Sequence, residues 1–246
     1  MKVIAAISIL VIALLMGAIP LVFARSKRFK SLLTYCDALT TGLFLGVGLT
    51  HLLPEAIEHV MDPALPGSLT GIFSVCAATA IFLQAIEHTG KKIASHSDNH
   101  SYWVSYFLIV ILSIHSALEG MVLGVELNPK YEMTIFVAIM AHKGAAAFSV
   151  ITNMLTNDIS RYKAVIALIL FSIATPLGIL LGKNLLDTHW IEANLYIQPY
   201  FDAMAAGTFI YVAISHNPYR QAQDYATHIS LSVLGFLAMA FLSSFI

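Results

Sequence analysis

A histidine and a glutamate, His115 and Glu119, stand four residues apart in the apolar stretch IHSALEGMVLG. On an α-helix this spacing puts both side chains on one face, with Cβ atoms roughly 5–6 Å apart. Imidazole nitrogen and carboxylate oxygen are ligands that suit Zn²⁺. The pattern therefore predicts a metal site, to which His142 of another apolar stretch adds a third ligand. A hydrogen-bonded His–Glu pair that only ties helices together is the alternative interpretation.

A second group of ionisable residues precedes this site in the chain. His51, Glu55 and His59 recur at steps of four, so they form one stripe along a helix. Such a stripe can guide a cation to the site, and His51 is the deepest of the three. The alternative is that Glu55, Glu58 and His59 lie at the level of the lipid headgroups.

Lys143 follows His142 directly and is the least expected residue of the set. An ammonium beside a metal site repels a cation, and it can pair with Glu119 when no cation is bound. We expect Lys143 to block a second metal position and to keep the affinity for the first ion loose.

The bulk composition is that of a membrane protein. Of the 246 residues, 58% are hydrophobic and 11% charged, with a mean hydropathy of +0.80. The formal net charge of -1 gives no indication of nucleic-acid binding. Cys36 and Cys76 form neither a disulfide framework nor a CxxC motif.

The elements that carry these residues are predicted transmembrane helices, since about 20 apolar residues span a bilayer. Eight runs qualify, at residues 3–24, 37–60, 69–89, 103–127, 132–155, 162–183, 200–217 and 228–246. The first run is read as a true span rather than a signal peptide, because the charged ARSKRFK follows it at once. The loops leave no room for a soluble catalytic domain, so we expect one transmembrane domain over residues 1–246.

The distribution of Lys and Arg predicts the orientation, because basic loops stay in the cytoplasm. Nine such residues fall in the odd-numbered loops and three in the N-terminus and the even-numbered loops. Both termini are therefore expected outside the cytoplasm. At 1.5 Å per residue, His115 lies about 18 Å and His142 about 15 Å into their spans, so both reach the middle of the membrane.

An internal repeat runs through the chain in opposite directions. GLFLGVGLTH (residues 42–51) matches GTFIYVAISH (residues 207–216) at four identical positions, and AIPL (residues 18–21) matches ATPL (residues 174–177). The second predicted span runs outward and the seventh inward, so the two copies are inverted. Inverted repeats are typical of alternating-access transporters whose substrate site lies between them.

Several other polar residues lie near span ends, where ordinary helix ends explain them equally well. Candidates for an exit are Glu87, His88 and His216, while Asp202 and Glu126 are read as interface residues and His96 and His100 as part of a polar cytoplasmic loop. Glycines such as Gly42, Gly46, Gly48, Gly120 and Gly124 are expected to permit close helix packing. Pro54 and Pro176 are expected to kink their spans.

Five motifs together resemble the ZIP (Zrt/Irt-like protein) family of zinc and iron transporters. They are GLTHLLPEA, HSALEG, AHKGAAAF, ATPLGILLG and AAGTFIYVA, which cover nearly the whole chain in order. The resemblance implies an all-α fold of eight transmembrane helices in a 3+2+3 arrangement, with inverted repeats of helices 1–3 and 6–8. It implies that His115, Glu119 and His142 hold the transported ion, with His51, Glu55, Ser116 and Lys143 along the pathway.

Two departures from the family pattern matter. Many relatives have an amide or acid where Lys143 stands and a glutamate where Ala146 stands, and these hold a second metal. The second site is therefore expected to be absent, with one ion moved per cycle. The histidine cluster of the third loop is reduced to His96 and His100.

The sequence thus predicts a divalent metal uptake transporter of the cell membrane, with zinc as the ion that the ligands suit. No resident cofactor is expected, because the metal is the substrate. An intramembrane zinc enzyme is the alternative, although no HExxH motif is present, and a metal-free proton pathway is a third possibility. A His/Glu site does not by itself distinguish zinc from iron, manganese or cadmium, and a homodimer is left open.

Overall fold

Every predicted span forms a helix in the computed structural model, which describes residues 1–23, 27–61, 68–94, 100–185, 190–215 and 224–245. These residues contain α1 (Lys2–Phe23), α2 (Lys27–Gly46), a π-helical segment (Val47–Leu52), α3 (Leu53–Met61), α4 (Leu69–Ala94), α5 (His100–Val125), α6 (Pro129–Thr156), α7 (Arg161–Leu185), α8 (Trp190–Ser215) and α9 (Tyr225–Ser243). They contain no strand. Because α2, the π-helical segment and α3 run on without a break, the helices form eight units, as predicted.

Seven of these units are long and apolar enough to cross a membrane, which makes the chain an all-α multi-pass protein. The exception among the described helices is α8, although it has 26 residues. Gln198, Pro199 and Asp202 interrupt its apolar run, which lowers its hydropathy. α8 also begins ten residues before the predicted start at 200, so part of it extends beyond the apolar segment.

Local signals set the ends of several helices. Asn128 caps α6 by accepting a hydrogen bond from the backbone N–H of Lys130 at 3.0 Å, and Pro129 occupies the first turn. α6 and α7 are joined by a tight turn in which Asp158 has a φ of 57°. Aspartate tolerates this left-handed conformation better than most residues. The turn makes α6 and α7 antiparallel neighbours.

The second unit is distorted where Pro54 was expected to kink it. Proline has no N–H, and its ring clashes with the preceding helical turn. The chain responds with a wider π turn, in which the N–H of Leu53 bonds to the carbonyl of Gly48, five residues back. His51 lies on this π-helical segment, a type of distortion that is frequent at functional sites. Pro176, by contrast, lies inside the continuous helix α7.

The helices pack as two bundles. In the first bundle, α5 packs on α7, α6 on α1, and α1 on α7; in the second, α2 packs on α9, and α8 on α4, α3 and α2. Contacts between the bundles are fewer. The packing respects the inverted repeat, because the α2–α9 pair is the counterpart of α8–α4 and the α1–α6 pair that of α7–α5.

Small residues bring α5 and α7 into close contact. Gly120 and Gly124 on α5 face Gly178 and Gly182 on α7, with both pairs at GxxxG spacing. A Cβ added at Gly120 would overlap the carbonyl oxygen of Thr175, and one at Gly178 would overlap that of Ala117. Such close backbone approach is how helices associate in lipid.

Candidate metal site

α5 and α6 bring His115, Glu119 and His142 together at one point. One carboxylate oxygen, Oε1 of Glu119, lies 3.0 Å from Nε2 of His115 and 2.8 Å from Nε2 of His142. Ligand atoms of all three residues lie within 4.8 Å of one another, and theirs is the one group of this kind among the described residues. Two imidazoles and a carboxylate form a set of three ligands with which proteins bind zinc.

The geometry differs from that of a simple hydrogen-bonded pair. Although the His–Glu distances are short, Nε2 of His115 and Nε2 of His142 have no hydrogen-bond partner within the described part of the chain. Oε2 of Glu119 is likewise without one there. Buried polar atoms normally have full sets of partners, so one carboxylate oxygen shared by two imidazoles leaves the three side chains incompletely satisfied. A cation placed between them would satisfy all three side chains.

The two histidines of this set are buried in mostly apolar surroundings. His115 and His142 are 4% and 3% exposed. The ring of Phe209, on α8 of the second bundle, lies edge-on to both imidazoles, with centroids at 4.5 Å and 5.2 Å. The site therefore lies where the two bundles meet. In such a low-dielectric setting a carboxylate attracts a cation strongly.

A cleft leads from the site toward one end of the helices. His51, Glu55, Glu119, His142 and Asp202 contribute its polar lining, and the rest is apolar, mostly from α6. Nε2 of His51 lies 3.8 Å from Oε2 of Glu55. The structure thus places both predicted pathway residues of the second span in the same cleft as two of the predicted ligands.

Lys143 is placed differently from the expectation. Its ammonium does not pair with Glu119 but turns to α7, where it donates to Oγ1 of Thr175 at 2.9 Å and to the carbonyl of Phe171 at 3.4 Å. It also lies 3.8 Å from the centre of the Phe171 ring. The expected pairing was wrong because α7 offers a hydroxyl, a carbonyl and a ring face, which together satisfy a buried ammonium. Glu119 is thereby left to the two imidazoles.

Ser116, Glu87 and His88, the other predicted pathway and exit residues that the structure describes in this region, fall outside the cleft. Ser116 is buried on α5 but does not line it. Glu87 is buried, pairs with Lys91 and accepts a hydrogen bond from the hydroxyl of Tyr211 at 2.7 Å. His88 is exposed on α4. Glu87 therefore has structural partners of its own, which join α4 to α8.

Asp202 is the functional candidate that sequence reasoning missed. It was assigned to the membrane interface by its nearness to a predicted span end, but it is 8% exposed and lines the cleft. The assignment was wrong because α8 begins ten residues earlier than predicted, which places Asp202 well inside the helix. The repeat carried the missing signal: extended upstream from Gly207, it aligns Asp202 with Asp37. Glu126, by contrast, accepts from the backbone of Asn128 at the end of α5.

A few predicted residues cannot be placed. His96 and His216 lie outside the described residues, as do the side chains of His59 and His100.

Comparison with known proteins gives consistent matches. A family model described as ZIP Zinc transporter matches residues 1–102 and 86–243. The chain is 25% identical over 262 residues to Zinc transporter ZIP1 of Danio rerio, covering 86% of this chain and 85% of that protein. It is 26% identical over 260 residues to Zinc transporter ZIP9 of Micropogonias undulatus, covering 85% and 83%. Zinc transporter ZIP1 of Homo sapiens is 34% identical over 105 residues, 43% of this chain and 32% of that protein.

Proposed function

Because the chain belongs to the ZIP zinc transporter family, we propose that it carries a divalent metal ion toward the cytoplasm by alternating access, at one site formed by His115, Glu119 and His142. Zinc is the ion that two imidazoles and a carboxylate suit. The family is one of transporters, so the chain is not an enzyme and the metalloenzyme alternative falls. The metal is the substrate and not a resident cofactor.

One observation carries this proposal. Glu119 shares one oxygen between two imidazole nitrogens at 3.0 Å and 2.8 Å, and its other oxygen has no hydrogen-bond partner among the described residues, in the buried interface of two helical bundles. A site that only tied helices together would satisfy its own donors and acceptors. This one leaves them converging and open to a cleft, as a site for a transient cation requires.

The two bundles supply a physical basis for alternating access. All three proposed ligands belong to the first bundle, whereas His51, Glu55 and Asp202 of the cleft belong to the second. If the first bundle slides against the second in an elevator-like movement, the three ligands move together. The cleft residues of the second bundle then keep their position in the membrane. The glycine contacts of α5 with α7 would keep the moving bundle rigid.

The cleft and the basic loops support the direction of transport. The cleft lies beside α3 and the start of α6, on the side predicted to be extracytoplasmic. On the opposite side, Phe107 of α5 packs edge-on against Tyr211 of α8 at 6.0 Å, and Trp103 stacks on Phe107 at 6.1 Å. This aromatic contact joins the bundles there. We therefore propose that this arrangement is an outward-facing state, in a cell membrane with both termini outside.

Lys143 supports transport of one ion per cycle. Lys143 is 1% exposed, and its ammonium is held on α7 by Thr175, while the preceding residue of α6 is the proposed ligand His142. Ala146, one turn further along α6, offers no ligand. A fixed positive charge with no added carboxylate disfavours a second cation.

Assembly as a homodimer stays a prediction.

A flux measurement tests the proposal. We expect the purified protein, reconstituted into liposomes that contain a zinc-sensitive dye, to give zinc uptake that saturates with external zinc and exceeds that of protein-free liposomes. Competition by iron, manganese and cadmium in the same assay would establish selectivity. No zinc flux above the protein-free level, or proton flux that needs no metal, would contradict the proposal.

A further inference from the structure

The inverted repeat extends further than its glycine-rich part. Aligned without gaps, residues 35–51 (YCDALTTGLFLGVGLTH) and 200–216 (YFDAMAAGTFIYVAISH) are identical at seven of 17 positions. The upstream identities are a tyrosine, an aspartate and an alanine. Asp37 on α2 and Asp202 on α8 are therefore counterparts.

The structure shows that aligned glycines of the two repeats make equivalent helix contacts. A Cβ at Gly42 would overlap the carbonyl oxygen of Ser232 on α9, and one at Gly207 would overlap that of Cys76 on α4. Each glycine thus allows its helix to touch the last helix of the other repeat, as the α2–α9 and α8–α4 pairs require. The alignment of Asp37 with Asp202 is therefore supported by equivalent packing as well as by sequence identity.

The aligned phenylalanines locate the axis of the repeat. Phe44 and Phe209 are buried and contact each other, with ring centroids 5.5 Å apart. Residues that touch their own counterparts lie next to the pseudo-twofold axis that relates the repeats. Phe209 also contacts both imidazoles of the proposed site, so the axis passes close to that site.

The two aspartates consequently lie on opposite sides of the site. Each precedes its phenylalanine by seven helical residues, a rise of about 10 Å, and α2 and α8 run in opposite directions. Asp202 therefore lies in the outer half, where it lines the cleft with His51 and Glu55. Asp37 lies at the equivalent depth in the cytoplasmic half.

The cleft gives Asp202 a chemical role. Three carboxylates, those of Glu55, Glu119 and Asp202, border the same small space. Grouping carboxylates in a low-dielectric cleft is costly without a cation, and such a cleft concentrates cations. Asp202 and Glu55 sit on the second bundle, so in the elevator scheme they stay in place while the ligands move.

Resting on the proposed function, we propose that Asp202 and Asp37 are paired staging carboxylates of the second bundle. Asp202 receives the incoming divalent cation in the outer cleft and passes it to His115, Glu119 and His142. After the first bundle has moved, Asp37 takes the same part in the cytoplasmic half and draws the ion off the site. Each half of the pathway, outer and cytoplasmic, would then contain one carboxylate that exchanges the ion with the site.

The test separates the two halves by the side from which zinc is supplied. With zinc outside, Asp202→Asn is expected to raise the half-saturating zinc concentration about ten-fold, with the maximum rate within about two-fold of the wild type. Asp37→Asn is expected to leave half-saturation unchanged and to lower the maximum rate. With zinc on the cytoplasmic face, in inside-out vesicles, the two effects should exchange.

Controls keep the outcome interpretable. Glu126→Gln, outside the cleft, should change neither parameter, and Asp202→Glu and Asp37→Glu should restore most of what each amide loses. Rates are normalised to the amount of folded transporter. An unchanged half-saturation in Asp202→Asn, or the same effect from both faces, would overturn the inference while wild-type flux upholds the proposed function. Absence of wild-type flux would instead overturn the proposed function.

Discussion

Replacing Glu119 by Ala is expected to reduce zinc uptake to the background of protein-free liposomes. Glu119 is the one ligand within 3.0 Å of both imidazoles, and it brings the negative charge that offsets the dication. Removing one member of a buried charge pair costs about 3–5 kcal/mol, which corresponds to a hundred-fold loss or more. His115→Ala should have the same effect, because it removes a ligand from the same set.

The matched control for this change lies on the same helix. Glu126, two turns beyond Glu119, has its carboxylate on the backbone of Asn128 and does not line the cleft. Glu126→Ala should therefore transport zinc as the wild type does. All variants are compared at equal amounts of protein in the membrane. Wild-type uptake by both Glu119→Ala and His115→Ala would refute the site.

Replacing Gly120 by Val is expected to prevent stable packing of α5 on α7. The new Cβ would overlap the carbonyl oxygen of Thr175 and lie 3.1 Å from the Cα of Gly178, both of them backbone atoms that cannot move aside alone. Overpacking of about 3 kcal/mol or more should lower the melting temperature in detergent by about 10 °C. Fluorescence-detected size-exclusion chromatography after heating measures this shift.

A glycine whose neighbours are side-chain atoms rather than backbone provides the comparison. At Gly71 a Cβ would meet only side-chain atoms, Oγ of Ser68 at 3.0 Å and Cε1 of Tyr200 at 3.6 Å. Oγ of Ser68 accepts a hydrogen bond from the N–H of Gly71 at 2.9 Å, so it needs to shift by only a few tenths of an ångström to keep that bond and admit the methyl group. Gly71→Ala should therefore melt within about 2 °C of the wild type. Equal melting temperatures for Gly120→Val and the wild type would show that α5 and α7 do not pack through their glycines.

The helices were predictable because lipid imposes a simple rule, namely about 20 apolar residues for each span. The same rule missed the start of α8, whose polar residues Gln198 and Asp202 lie inside the helix. Asp202 is buried there because it lines the cleft between the two bundles. The π-helical segment was also not predictable from the sequence. Pro54 signals a distortion, but whether the chain kinks or widens depends on the neighbouring helices.

The proposed ligands were predictable because helical spacing and depth can be counted along a sequence. His115 and Glu119 share a face at four residues, and His142 reaches the same depth on the next helix. The partners of Lys143 were not predictable in this way. They depend on which face of α7, with Thr175 and Phe171, turns toward α6. Contacts between helices distant in sequence require the packing itself.

The most direct test is zinc K-edge X-ray absorption on the purified protein during a zinc titration. We predict saturation at one zinc per chain and a first shell of nitrogen and oxygen at about 2.0–2.2 Å, with outer-shell scattering from two imidazole rings that Glu119→Ala abolishes together with binding. Sulfur scattering, a shell without imidazole, or two zinc ions per chain would contradict a single site between α5 and α6.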